Sequence, residues 1–98
     1  MRRFMVHEEG DDVGVVTEDI QEGDNLIGIY MDTGESTQVK ARDDIPLSHK
    51  IAMSDIAKND EVIEYGTRIG IATQDISKGD YVHTHNIRSA RWSFEESE

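Results

Sequence analysis

The chain contains no cysteine among its 98 residues. Disulfides, thiolate metal sites and cysteine nucleophiles are therefore excluded. It also lacks a Gly-rich phosphate loop and a G-x-S-x-G motif, so neither a nucleotide-binding loop nor a serine-hydrolase elbow is predicted. No apolar run approaches the length of a membrane span, and the N-terminus has no apolar signal segment. We therefore expect a cytoplasmic protein that does not contact a membrane.

Positive charge is scarce as well. Ten basic residues stand against 21 acidic ones, which gives a formal net charge of −11. Nucleic-acid binding is not expected, because it requires a basic surface that neutralises phosphates. The length fits one domain with a modest core. A core of this size rarely leaves room for a deep catalytic pocket, which argues against an enzyme that acts as a lone chain.

Short segments rich in Val, Ile, Tyr and Thr predict an all-β fold. The predicted strands are 2–8, 13–17, 26–31, 37–41, 61–65, 68–72 and 81–86. The segment 45–58 comes closest to an amphipathic helix, but Pro46 and a turn motif limit its length.

Three segments, 17–27, 53–63 and 73–83, share the pattern Asp-Ile-x-[Glu/Lys]-[Gly/Asn]-Asp. A threonine or serine shortly before the first aspartate can cap a short helical turn. The glycine or asparagine tolerates a left-handed backbone, and Ile20, Ile56 and Ile76 are predicted to enter the core. Each segment is therefore predicted to be a corner with a short helical turn that redirects the chain between strands. Its acidic residues are predicted to be solvated.

After the first few dozen residues of the acidic chain, three windows of at least ten residues carry no Asp or Glu, namely 45–54, 65–74 and 81–94. Their basic residues and histidines are His49, Lys50, Arg68, His83, His85, Arg88 and Arg91. Such windows suit a site for an anion, since flanking carboxylates would repel it. Chance and the scarcity of aspartate in strands are the alternative explanation. The remaining histidine, His7, stands among acidic residues and is predicted to lie at the surface.

The pair His83 and His85 is predicted to lie on one face of a strand, together with Tyr81. Two imidazoles placed in this way can ligate divalent Fe, Mn, Ni or Zn, or exchange protons with a carboxylate substrate. A surface or structural pair is the alternative. Lys50, next to His49, can hold a carboxylate or act as a base, and an exposed lysine beside a turn is the alternative.

Three motifs resemble the small SAF domain of the altronate and galactarate dehydratase family. They are I-P-x-x-H-K (45–50), Y-G-x-x-I-G-x-A-T (65–73) and D-I-x-x-G-x-x-V-H-x-H-N (75–86). The resemblance runs from Phe4 to Trp92. In that family the domain is fused to a large catalytic domain or forms a separate small subunit, as in the alpha subunit of (2R)-sulfolactate sulfo-lyase. The resemblance implies a β-clip fold of the SAF type over 1–92, followed by a frayed tail at 93–98, and the chain length is similar to that of the separate subunit.

The resemblance also implies a function. It implies β-elimination from a small hydroxy acid, by a carbon–oxygen or carbon–sulfur lyase, together with a large catalytic subunit and without activity of the chain alone. A divalent metal, with iron as a candidate, would be supplied or completed by the large subunit, and homo-oligomerisation is left open. The implied catalytic residues are His49, Lys50, His83 and His85. The predicted substrate-binding residues are Asn86, Arg88 and Tyr65, and the predicted metal ligands are His83 and His85.

The sequence departs from the family pattern at three positions. Ser48 stands where the family commonly has Gly, Glu64 where Lys is frequent, and Ile71 where Arg is frequent. The loss of two basic residues argues against a sugar diacid as substrate and keeps a sulfo-lyase or another substrate open. Surface changes without a bearing on the substrate are the alternative. Two other functions stay open: a non-catalytic SAF module that binds an acidic sugar or a protein partner, and a structural cap on the large subunit.

Overall fold

The computed structural model describes residues 1–89, so the predicted domain end at Trp92 and the tail 93–98 lie outside the described residues. Over residues 1–89 the strands are β1 (Arg2–Val6), β2 (Val13–Val16), β3 (Asn25–Tyr30), β4 (Ser36–Lys40), β5 (Lys50–Ala52), β6 (Glu61–Glu64), β7 (Thr67–Ala72), β8 (Tyr81–Val82) and β9 (Ile87–Ser89). No helix occurs in this part of the chain, and accordingly none that could cross a membrane. The prediction of an all-β fold is confirmed.

The strands form two sheets. A six-stranded sheet has the order β4-β3-β1-β2-β5-β8, and a three-stranded sheet has the order β6-β7-β9. All pairs are antiparallel except β1 with β3. Phe4, at the centre of the larger sheet, is fully buried. It lies opposite Val16 on β2 and Gly28 on β3, and a side chain at Gly28 would overlap its ring.

Four corners of one design connect the strands, where the sequence predicts three. Each is a six-residue segment that begins with Asp-Ile: the first corner is 19–24, the second 44–49, the third 55–60 and the fourth 75–80. In all four, the backbone N–H of the last residue donates to the carbonyl of the third residue. The fifth residue takes a positive φ in every case, at Gly23, Ser48, Asn59 and Gly79. The second corner escapes the sequence pattern because its last four residues are Pro-Leu-Ser-His.

The prediction of short helical turns at these corners is wrong. Each corner instead contains an isolated β-bridge through its isoleucine, Ile20 with Ile45 and Ile56 with Ile76. This bridge commits the isoleucine backbone to a partner corner, so no helical hydrogen bond can form there.

The first aspartate of each corner joins it to its partner corner, so the prediction that the corner acids are merely solvated is wrong for these residues. Asp19 Oδ1 accepts the backbone N–H of Leu47 at 2.9 Å, and Asp44 Oδ1 accepts that of Glu22 at 2.8 Å. The second pair repeats the arrangement: Lys58 N–H donates to Asp75 and Lys78 N–H to Asp55, both at 2.9 Å. The chain therefore holds two copies of one unit, in which two reciprocally bonded corners flank a hairpin, β3-β4 in one and β6-β7 in the other.

Strand β5 links these two units, and both it and β9 were missed from the sequence. β5 has three residues between two corners, too few for a periodic signal. The predicted strand 81–86 ends at Val82, because the chain turns at 83–86 before β9. β5 pairs with β8, and this pairing places the second corner beside the turn that carries the H-x-H pair.

Candidate functional site

A cavity of about 400 Å³ lies where the two sheets meet. Its walls come from the second corner with β5, from the hairpin β6-β7, and from β8 and β9 with their connecting turn. The lining residues are Ser48, His49, Lys50, Glu64, Ile69, Val82, His83, Thr84, Ile87 and Ser89. The three acid-free windows thus meet around one space, and Glu64 is the one acidic residue among these described lining residues.

The second corner frees the side chain of His49 for this cavity. In the first and fourth corners the last residue is an aspartate whose Oδ2 accepts the N–H of the third residue, Gln21 at 2.9 Å and Ser77 at 2.8 Å. In the second corner the third residue is Pro46, which has no N–H to donate. A carboxylate at position 49 would have no such bond to make. The corner therefore tolerates an imidazole there without losing a hydrogen bond.

His49 is held by Tyr81 of β8. The Tyr81 hydroxyl lies 2.6 Å from His49 Nδ1, which is a short hydrogen bond. If the phenol donates, Nε2 carries the ring proton. If the ring N–H donates, Nε2 is a free acceptor. The pair can therefore present Nε2 to a ligand as a proton donor or as a proton acceptor.

The H-x-H pair lies in a turn, so its predicted placement on a strand face is wrong. β8 ends at Val82, and residues 83–86 form the turn to β9. The two rings are nevertheless close to Tyr81: the His83 ring is nearly parallel to it at a centroid distance of 5.7 Å, and the His85 ring is tilted at 5.3 Å. The His83 ring also lies 4.9 Å from that of His49. The turn thus gathers three imidazoles around one phenol.

Asn86 fixes this turn. It is 3% exposed, and its Oδ1 accepts the backbone N–H of His83 at 3.0 Å. Its Nδ2 donates to the carbonyl of Tyr81 at 2.7 Å. The predicted substrate-binding residue is thus engaged within the turn, where it positions His83.

Lys50 forms an ion pair with the buried carboxylate of Glu64. Lys50 Nζ lies 3.6 Å from Glu64 Oε1, and His7 Nε2 lies 3.6 Å from Glu64 Oε2. The Glu64 side chain is 8% exposed and that of Lys50 is 34% exposed. The prediction that His7 lies at the surface is wrong: its side chain is 19% exposed, because β1 delivers it to the same carboxylate. No local sequence signal marks this contact, since His7 and Glu64 are far apart in the chain.

Tyr65 lies beside the cavity rather than in its lining. It is 61% exposed and stacks on His7 at a centroid distance of 3.5 Å. Tyr65 and Gly66 both have positive φ and form the tight turn between β6 and β7. The buried carboxylate of Asp11 accepts both their N–H groups, at 3.0 and 3.1 Å. This support offsets the strain of a bulky residue in the left-handed region.

Arg88 alternates with two lining residues, Ile87 and Ser89, along β9. Successive side chains of a strand point to opposite faces, so Arg88 belongs to the face away from the cavity. Its assignment as a substrate contact stays a prediction.

In the part of the chain that the structure describes, no group of three or more His, Cys, Asp or Glu side chains could hold a metal ion. His83 and His85 therefore offer at most part of a coordination shell, since metal sites in proteins use at least three protein ligands in most cases. The remaining ligands of any metal here would have to come from outside the described residues.

The fold and the cavity define the class of this protein: an all-β domain of the β-clip, SAF type that carries an open, histidine-lined cavity. Comparison with known proteins then identifies its family. The model of the altronate/galactarate dehydratase SAF domain matches residues 2–90, and the chain belongs to this family.

Two similar proteins show the two settings of this domain. The chain is 41% identical over 90 residues to the (2R)-sulfolactate sulfo-lyase subunit alpha of Chromohalobacter salexigens. The match covers 91% of this chain and 96% of that protein. It is 40% identical over 89 residues to the altronate dehydratase of Bacillus subtilis, where the match covers 91% of this chain but 17% of the enzyme. By their names, these relatives are a lyase subunit and a lyase.

Proposed function

We propose that the chain is the small subunit of a hydroxy-acid lyase and supplies proton-transfer groups to a site completed by a large subunit. The observation that carries the proposal is the cavity in which His49, His83 and Lys50 lie together beside Tyr81. The cavity is open and about 400 Å³ in volume. These groups suit elimination chemistry. The open cavity alone does not enclose a substrate as catalytic sites do, so in the proposal the large subunit completes the enclosure.

β-Elimination next to a carboxylate needs the groups that this cavity offers. The C–H bond beside the carboxylate breaks, its electron pair forms the double bond, and the leaving group departs from the β-carbon with its bonding pair. A base must take the proton and an acid must assist the leaving group. In the proposal Lys50 holds the substrate carboxylate as a point charge, while His49 and His83 take and give the protons.

The hydrogen bond between Tyr81 and His49 suits His49 to this task. The bond fixes the orientation of the His49 ring. It also couples the protonation of Nδ1 to that of Nε2, so that Nε2 is a proton donor or a proton acceptor according to which atom of the pair donates. If His83 and His85 bound a divalent metal with ligands from the large subunit, His83 would be a ligand instead of a proton-transfer group, and the metal would polarise the substrate carboxylate and hydroxyl. The proposed roles of Lys50 and His49 do not depend on that metal.

A second candidate function is a non-catalytic module that binds a carboxylate ligand. The Lys50 ammonium, which is one-third exposed in the cavity wall, favours it. The two functions differ in whether the imidazoles matter for turnover or for binding alone.

The test is capture of a partner from the native extract with the tagged full chain, followed by an assay of the complex. Altronate, galactarate and sulfolactate are offered with added iron, and loss of water or sulfite is measured. Capture of a large subunit with turnover of one hydroxy acid is the expected result. Capture of no partner from an extract in which the chain is abundant would overturn the proposal.

Variants of the reconstituted complex then separate catalysis from binding. We expect His83→Gln to lower kcat/KM at least 100-fold, because general acid–base groups contribute roughly 10²–10⁴-fold. Lys50→Ala should also lower kcat/KM, because it removes the charge that holds the substrate carboxylate. Lys78→Ala, in the fourth corner and exposed, is the matched control and should assemble and turn over normally. Normal turnover by both site variants would leave only a structural role for the domain.

A further inference from the structure

The cavity contains one lysine or arginine among its described lining residues, and that cation is already paired. Lys50 Nζ lies 3.6 Å from Glu64 Oε1, and the Glu64 side chain is 8% exposed. A separation of 3.6 Å exceeds that of a hydrogen bond. The ammonium therefore keeps N–H groups for a ligand, while the carboxylate stays close enough to act on that ligand's charge.

Glu64 is nearly buried in this position and has a neighbour at each carboxylate oxygen. Its second oxygen faces His7, whose ring is stacked on Tyr65. The adjoining turn is anchored by the buried carboxylate of Asp11. The Glu64 charge stays close to an anion that binds Lys50, because its side chain is 8% exposed and lies between Lys50 of β5 and His7, the residue after β1.

From this arrangement we infer that Glu64 is a specificity-determining residue that limits the bound ligand to one negative charge in this cavity. The inference deepens the proposed function by naming the substrate class: a hydroxy acid whose single carboxylate pairs with Lys50. A second anionic group on the ligand meets the fixed Glu64 charge and finds no second lysine or arginine in the described lining. Like charges separated by several Å in a partly buried site repel strongly.

The remaining lining groups support the same selectivity. Ser48 and Thr84 lie at the cavity wall, and their hydroxyl groups suit the hydroxyls or amides of an uncharged ligand end. A dianion that entered would therefore have to be neutralised by the partner subunit and not by this chain.

The test uses two ligands of nearly the same shape that differ by one charge, malate and its 4-monoamide. Their binding to the full chain is followed by NMR shifts of the cavity residues at about pH 8, where imidazoles are mostly neutral. We expect the monoamide to bind roughly tenfold more tightly than malate. Glu64→Gln keeps the shape and removes the charge, so it should bring the two affinities within about threefold of each other.

Glu61→Gln is the matched control. It makes the same change of net charge on the same strand, but Glu61 is exposed and paired with Arg68 outside the cavity. We expect it to leave the malate-to-monoamide ratio unchanged. If Glu61→Gln and Glu64→Gln changed the malate-to-monoamide affinity ratio equally, the effect would be one of general charge, and the inference would be overturned.

Two further outcomes would also overturn it: wild-type chain that binds malate at least as tightly as the monoamide, and cavity residues that respond to neither ligand at millimolar concentration. If Glu64→Gln does not fold, the ratio of the malate and monoamide affinities of the wild-type chain decides whether the inference holds. Failure of the proposed function would appear separately, as a chain that captures no large subunit yet still discriminates between the two ligands.

Discussion

His49 and Asn86 show how single side chains divide structural and chemical work in this domain. His49 occupies a position that is an aspartate in the other three corners. Pro46 removes the N–H that such an aspartate accepts in the first and fourth corners, so the histidine side chain can reach Tyr81. Asn86 is the reverse case, because its polar atoms are used to hold the turn that carries His83.

We expect Asn86→Ala to lower the free energy of unfolding by about 2–3 kcal/mol. The change leaves the His83 N–H and the Tyr81 carbonyl without their partner in a part-buried setting, and an unsatisfied buried group costs about 1–3 kcal/mol. Urea denaturation followed by fluorescence measures the loss. Asn25→Ala, at an exposed asparagine that begins β3, is the control and should change the stability by less than about 0.5 kcal/mol. A comparable loss in both variants would contradict this account of Asn86.

At the scale of elements, the four corners explain how so short a chain keeps its strands in place. Each corner ends one strand and begins the next, and reciprocal bonds from Asp19 and Asp44, and from Asp55 and Asp75, fix the corners in pairs. The backbone N–H groups at these corners are therefore satisfied without a helix.

The corner glycines provide a matched test, since two of them share a backbone conformation but differ in surroundings. Gly23 and Gly79 have φ of 93° and 95°. An added Cβ at Gly23 meets nothing within 4 Å, whereas one at Gly79 would clash with the carbonyl oxygen of Lys40.

We expect Gly23→Ala to cost about 1 kcal/mol for the left-handed backbone alone. Gly79→Ala should cost at least about 2 kcal/mol more, because the backbone of the neighbouring segment must shift. Urea midpoints of the two variants measure the difference. Equal losses would mean that close packing against Lys40 does not constrain the fourth corner.

At the scale of the whole molecule, the net charge of −11 opposes compaction. Self-repulsion of this kind is screened by salt. We expect the thermal midpoint to rise as sodium chloride is increased from about 0.02 to 0.5 M, a range over which the Debye length falls from roughly 20 Å to under 5 Å. Scanning calorimetry at constant pH measures it, and a midpoint that falls with salt would mean that attractive ion pairs outweigh the repulsion.

Much of the architecture was readable from local pattern. Alternating Val- and Ile-rich segments indicated an all-β chain, and Gly23, Asn59 and Gly79 marked left-handed positions that the structure contains. The second corner was missed because Pro46 and Ser48 hide a backbone path that glycine and aspartate mark elsewhere. Strand β9 was missed because it follows a tight turn that the sequence presented as a continuous strand.

The sequence by itself determined the fold class, the family and the set of acid-free windows, because each depends on residues that are neighbours in the chain. Only the tertiary structure decided that these windows surround one cavity and that Glu64 joins Lys50 to His7. β1 and β5 belong to the six-stranded sheet and β6 to the three-stranded one, and an ion pair across such elements leaves no periodic or local trace in a sequence. The same holds for the hydrogen bond between Tyr81 and His49, which exists because β8 pairs with β5.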